Sequence, residues 1–261
     1  REAYIWFFFL LGLLGVAHWA SGRTIKGSFF AVLGFVLATL FHGAMFIALA
    51  AFLAILGWSS LKSLTKRLSA GFVRPVAAAG LLVSILAVGS YLAGTYSVPK
   101  FGSIDQLLNA ERVLSRIEDV SHDSASYPQW MVPESLFEIL YLTPARTAYF
   151  LFAPFPWDVT SPRHLVGMAD GMLYLGLFAL MWRNRKGLWA NPRARPVLLV
   201  LLPVLLIFAV AIGNFGTSIR HRSKIAGVLI VLVAPSVPRF VLSKKKLQLD
   251  SYRHKETVSV V

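Results

Sequence analysis

The chain has 261 residues, of which 56% are hydrophobic and 15% charged, with a mean hydropathy of +0.65, a balance that excludes an ordinary soluble domain and points to a bilayer as solvent. Its formal charge of +14, from 26 Lys and Arg against 12 Asp and Glu, then reads as basic cytoplasmic loops, and no nucleic-acid partner is expected. With no Cys and six His scattered without ligand spacing, disulfides and thiolate sites are excluded and neither metal nor cofactor is expected.

A membrane-crossing helix needs roughly 20 apolar residues. The first run, Tyr4 to Ala20, follows Arg1 at once; with no Met in front of it, the chain reads as a C-terminal portion lacking earlier spans. No small-residue cleavage site follows Trp19, which argues against a signal peptide. Gly27 to Trp58 comes next, 32 residues without Asp, Glu, Lys or Arg. Arg23 and Lys26 precede it and Lys62, Lys66, Arg67 and Arg74 follow it, so both ends are expected in the cytoplasm. A helical hairpin turning near His42 and Gly43 satisfies this, each arm of about 15 residues reaching roughly 23 Å. A span over Phe72 to Tyr96 then leads outward.

The segment from 97 to 163 forms an outward loop. Ser103 and Gln106 make a capping-box pair, and Ile104, Leu107, Leu108, Leu114 and Ile117 recur at helical spacing, which predicts an amphipathic helix on the membrane surface. Leu136 to Trp157 is apolar but interrupted by Glu138, Pro144, Arg146, Pro154 and Pro156, as in an interfacial or re-entrant segment, with Trp130 and Trp157 as interface anchors. Spans follow over His164 to Trp182, Pro196 to Gly213 and Ile219 to Leu242. Between and after them Arg183, Arg185, Lys186, Arg193 and Arg195, then Lys244, Lys245, Lys246, Arg253 and Lys255, fall in the cytoplasm. The expectation is an all-α, polytopic helical bundle of about seven membrane segments, an integral domain over 1–242 with a cytoplasmic tail over 243–261, and no internal repeat.

One outward stretch has its charge in an unusual place. Gly213 to Lys224 carries Arg220, His221, Arg222 and Lys224 on the side where short loops avoid cations. Gly213 and Gly216 break the preceding span and Ser218 reads as an N-cap, so the cations are expected in the first turns of the last helix, against its dipole. An anionic ligand, phosphate or pyrophosphate, relieves that conflict. Lipid headgroups, or pairing with Asp158 or Glu134, would also relieve it, and with the topology inverted here the cluster would be an ordinary cytoplasmic loop. On a helix Arg220 and Lys224 share a face, so two donors can grip one phosphate.

Four places taken in order resemble the bacterial O-antigen and exopolysaccharide polymerases, the Wzy-like membrane proteins: Arg1-Glu2 opening a span, Leu40-Phe41-His42-Gly43 in an apolar run, Pro154-Phe155-Pro156-Trp157 facing outward, and Arg220-His221-Arg222-Ser223-Lys224. The likeness spans most of the chain, although such polymerases usually have ten or more spans. It implies metal-independent glycosyl transfer at the periplasmic face of the bacterial inner membrane, joining oligosaccharide repeat units carried on undecaprenyl pyrophosphate. The partners implied are that lipid-linked sugar, membrane lipids and other polysaccharide assembly proteins. Negative charge grows on the leaving pyrophosphate, so Arg220, Arg222 and Lys224 are expected to stabilise it, with His221 or an outward carboxylate as base.

Lys224, Arg146, His42, Asp158, Arg163 and Asp170 are the substrate-binding candidates. Each also has a plainer reading: a helix–helix hydrogen bond for His42, pairing with an arginine for Asp170, snorkelling for Arg146 and a solvated loop for Asp158 and Arg163. An O-antigen ligase, another lipid-linked-sugar glycosyltransferase or a flippase for the same lipid-linked sugar remains open at this point.

Overall fold

Where no water can pair with the backbone, a run of apolar residues satisfies its own N–H and C=O groups by coiling into helix. A computed structural model of the chain describes residues 2–67, 114, 115, 117 and 126–236. Among them every regular segment is helical, and extended pairing is limited to one isolated bridge between Ser126 and Asn214. The α-helices are α1 (Glu2–Ala20), α2 (Thr24–Phe41), α3 (Phe46–Arg67), α4 (Leu136–Phe152), α5 (Pro162–Arg183), α6 (Arg185–Ala190), α7 (Ala194–Ala211) and α8 (Phe215–Val233). The expected span over Phe72 to Tyr96, most of the amphipathic surface helix and the tail lie outside the described residues.

Among the described residues five helical stretches are long and apolar enough to cross a membrane: α1, α2, Gly43–Lys62 (the 3-10 turn and most of α3), α5 and α7. By length and composition this is a membrane protein. The 32-residue uncharged run divides at a 3-10 turn over Gly43–Met45. Both flanking helices are longer than the expected arms, because α2 begins at Thr24 and takes in Lys26, and α3 runs on to Arg67. Leu136–Phe152 also departs from expectation. It is one continuous helix through Pro144, capped at its start by Ser135, whose side chain accepts the Glu138 N–H at 3.2 Å. The Thr143 hydroxyl bonds the Ile139 carbonyl at 2.5 Å, one turn back, beside the ladder position that proline cannot fill.

The helix pair α1 and α2 packs closest, and small residues permit it. A Cβ on Gly15 would run into the backbone of Ala31, and one on Gly34 into the backbone of Gly12. This is the small-residue contact that lets two helices approach within a bilayer, where apolar burial from lipid contributes little. Tyr4 stacks on Phe41 at 5.5 Å, so the start of α1 lies beside the end of α2. Phe7, Leu10 and Leu14 on α1 and Phe29, Leu33 and Leu40 on α2 stay exposed and form a lipid-facing surface. Inside, Phe9, Phe35 and Phe52 meet Val200, Leu201, Val204 and Leu229 in one apolar core.

The helix ends sort by charge. Glu2, His42, the α7–α8 break at Ile212–Asn214 and the start of α5 gather at one end of the bundle, while Arg23, Arg183, Arg185, Lys186, Arg193 and Arg195 lie at the other. Replacing Gly34 by Val is expected to separate α1 from α2 and to lower stability by about 1–3 kcal/mol. Reversible unfolding of the purified protein in mixed micelles, with Gly176→Ala as a control in open space, measures it; an unchanged midpoint for Gly34→Val would contradict the packing.

Candidate functional site

The break between α7 and α8 sets the site. The Asn214 side chain caps α8 by accepting N–H bonds from Gly216 at 2.9 Å and Thr217 at 3.3 Å, so the helix starts at Phe215 and not after Ser218. Arg220 to Lys224 therefore lie in the second and third turns, beyond the reach of the N-terminal dipole on which the expected conflict rested. What the cations face instead is burial. Arg222 and Lys224 are almost wholly enclosed, His221 is buried, and only Arg220 is exposed.

Arg222 is spent on the protein itself. Its Nε donates to Asp170 Oδ2 at 2.7 Å, and its terminal nitrogens donate to the carbonyls of Leu151 at 3.1 Å, Ala153 at 2.7 Å and Gly167 at 3.0 Å. The guanidinium also lies over the Tyr174 ring at 5.3 Å. Leu151 and Ala153 end α4, where helix geometry leaves carbonyls without intrahelical donors. Arg222 thus closes the end of α4 and ties it to α5, which corrects its expected role as a cation for the leaving group: all three nitrogens of the fork are bound to the protein itself. Asp170, expected at the substrate, is its counterion.

Arg146 repeats the device. It is buried at 1% exposure and donates to Met131 O at 2.6 Å, Val210 O at 3.0 Å and Ile212 O at 2.9 Å. Val210 and Ile212 are the unpaired end of α7, so neither snorkelling nor pyrophosphate binding describes this side chain. Asp158 accepts from Phe155 N at 3.0 Å within the turn Pro156–Asp158, which makes it a local cap. Arg163 is exposed on the first turn of α5, apart from the cluster.

The remaining candidates meet. The Lys224 ammonium pairs with the Glu2 carboxylate and stands 3.3 Å from His221 Nδ1. The His221 ring packs at 4.8 Å against Phe208 and at 5.6 Å against His42, and His42 packs at 5.7 Å against Phe208. Ile5, Trp6, Phe9, Met45 and Ile225 complete a small pocket around His221 and Lys224. Two helices, α1 and α8, and the turn between α2 and α3 thus bring Glu2, His42, Arg220, His221 and Lys224 to one place. Ionisable groups held together among apolar walls mark a candidate site in a membrane setting.

Two participants were not foreseen as site residues. Glu2 carried its signal in plain view, as an acid at the mouth of an apolar helix. Tyr127 did not: its hydroxyl shares a 2.5 Å hydrogen bond with Ser218 Oγ, and its N–H donates to Gly213 O, pinning the segment before α4 to the α7–α8 break. Nothing in a single sequence pairs positions 127 and 218. Around it Tyr149, Phe155 and Phe215 form an aromatic wall, with Trp157 exposed beside Phe155 at 4.9 Å. No family model, characterised protein or solved structure matches the chain.

Burial pushes the Tyr127 hydroxyl up from 10.0 to about 12, against the opposing pull of its bond to Ser218 and of the Arg146 and Arg222 charges. Because the folded value lies above the unfolded one, this contribution is complete below pH 10 and is lost as pH rises from about 10 to about 12. Unfolding followed across that window is expected to fall more steeply in the wild type than in Tyr127→Phe; parallel profiles would exclude the linkage. Replacing Arg222 by Met strands Asp170 and three carbonyls and is expected to cost about 3–5 kcal/mol, part of it recovered in the double variant Arg222→Met/Asp170→Leu. Thermal unfolding in micelles reads both, and a wild-type midpoint in Arg222→Met would remove the structural role.

Proposed function

We propose that the chain polymerises oligosaccharide repeat units linked to undecaprenyl pyrophosphate, at the periplasmic face of a bacterial inner membrane. The observation that carries this reading is the convergence of Glu2 and His42 on His221 and Lys224 beside one small pocket, the four drawn from three of the four places that resemble the polymerases. In this reading the chain crosses the membrane about seven times, α2 and α3 form a hairpin whose tip lies at His42 and Gly43, and the Glu2 end faces the periplasm. The basic residues at the opposite end then obey the positive-inside tendency.

The chemistry divides among the residues left free of structural duty. The acceptor is a sugar hydroxyl and the leaving group is lipid pyrophosphate, so charge develops on phosphate oxygens as the glycosidic bond breaks. In this reading Arg220, exposed next to His221 in the chain, meets that charge without leaving water entirely, and Lys224 and His221 line the pocket. A preplaced cation in a partly dehydrated site lowers such a barrier by several kcal/mol. Phe155 and Trp157 offer flat faces on which a sugar ring can rest.

Single replacement of Arg220 or His221 by Ala is expected to reduce polymer formation on the order of a hundredfold, as loss of one preorganised donor does elsewhere, with the protein still present at its normal level. Gels of surface polysaccharide, with the chain followed by immunoblot, make the test. Single repeat units still attached to their lipid core mark a polymerase, and loss of all surface sugar marks a ligase or flippase. Unchanged ladders in both variants would remove this pocket from the chemistry.

A further inference from the structure

We infer that Glu2 is a positioning residue: by holding Lys224, it makes that ammonium donate to His221 Nδ1 and so fixes His221 as the neutral tautomer with its proton on Nε2. The inference rests on the proposed function only where it assigns that N–H a task, which is to donate to the phosphate oxygens of the donor substrate.

Three observations build it. An ammonium has three donors and no acceptor, so at 3.3 Å from Lys224 Nζ the Nδ1 atom of His221 is the accepting nitrogen. A neutral imidazole that accepts at Nδ1 carries its proton at Nε2, and the tautomer follows from the partner's chemistry. Lys224 in turn stays in place because its side chain is 4% exposed among apolar residues, where a cation without a counterion is costly, and the Glu2 carboxylate is that counterion. The ring itself cannot turn freely, because Phe208 and His42 pack against its faces and edge. Glu2, whose side chain is 44% exposed, reaches the pair from the mouth of α1.

The consequence for the reaction is a change of role. With Nδ1 occupied and Nε2 protonated, His221 enters the cycle as a hydrogen-bond donor and not as the base; as the acceptor oxygen bonds the anomeric carbon and the bond to pyrophosphate breaks, the acceptor proton passes to water or to the departing pyrophosphate. Positioning of this kind, in which one charged side chain sets the tautomer of another, is the logic by which carboxylates orient imidazoles in many sites.

Histidine-selective nitrogen NMR of the whole chain in lipid nanodiscs tests it, with the His221 signals assigned by their loss in His221→Asn. The wild type is expected to show an unprotonated Nδ1 and a protonated Nε2. Glu2→Ala and Lys224→Met should both collapse this toward a mixture of tautomers, and Lys224→Glu, which replaces the donor by an acceptor, should move the proton to Nδ1. Glu2→Asp should restore much of the wild-type pattern. A wild-type His221 protonated on Nδ1, or one indifferent to Glu2→Ala and Lys224→Met, overturns the inference. The polysaccharide gel separates the two claims. If His221→Ala leaves ladders unchanged while the tautomers behave as described, the polymerase reading fails and the positioning role stands. If His221→Ala removes polymer but Glu2→Ala does not, the positioning role fails alone.

Discussion

A helix that stops short of water leaves carbonyls that something else must bind, and in this chain two buried arginines bind them. Arg222 collects the end of α4 and the wall of α5, and Arg146 collects the end of α7 and the turn at Met131. Each guanidinium suits the task because its donors form a rigid fork that always carries charge, which a lysine on a flexible stem does not reproduce. The charge itself is the smaller part of the problem. Asp170 neutralises Arg222, whereas Arg146 is compensated by three carbonyl dipoles and the nearby Tyr127 ring at 6.0 Å. Arg146 therefore ties α4 to the end of α7, Arg222 ties α8 to the end of α4 and to α5, and the rigidity of this end of the bundle rests on both ties.

That rigidity decides which polar groups remain for a ligand. Of the four polar residues between Arg220 and Lys224 that bear or can bear a proton charge, Arg222 is committed inward and Lys224 is committed sideways to Glu2. Helical geometry produces the division. Arg222 lies two residues from Arg220 and two from Lys224, about 200° around the helix from either, so the face that holds α4 and α5 cannot also be the face that looks into the pocket with His221 and Lys224. One turn of helix serves two purposes on opposite sides.

The division also explains what the sequence could and could not say. The bundle was legible, because apolar runs of 17–22 residues separated by basic clusters leave few alternatives to helices. Boundaries moved where a cap was misread: Ser218 looked like the N-cap, but Asn214 takes that place and pulls the helix start four residues back. Leu136–Phe152 looked broken because Pro144 and Arg146 are local signals of interruption, yet the lost ladder bond is offset by packing and the arginine turns inward to a partner 64 residues away. The convergence of Glu2, His42 and Lys224 has the same character. Their types were visible, and their proximity is a property of two helices and a turn packed together.

A pocket built this way treats its cations unequally, and that inequality is useful for an anion that must arrive and then leave. Arg220 remains hydrated at the rim, so meeting a phosphate there requires little desolvation and gives correspondingly modest affinity. Lys224 is already paired, so its interaction with an incoming phosphate competes with Glu2 and replaces one counterion by another, instead of creating an ion pair from two solvated partners. A site with four unpaired buried cations would hold pyrophosphate too tightly to release it after transfer. Binding that grows only as charge develops on the leaving oxygen is the kind that lowers a barrier, and in the proposed transfer the Glu2–Lys224 pair would supply the competing interaction that keeps the ground state from taking the same benefit.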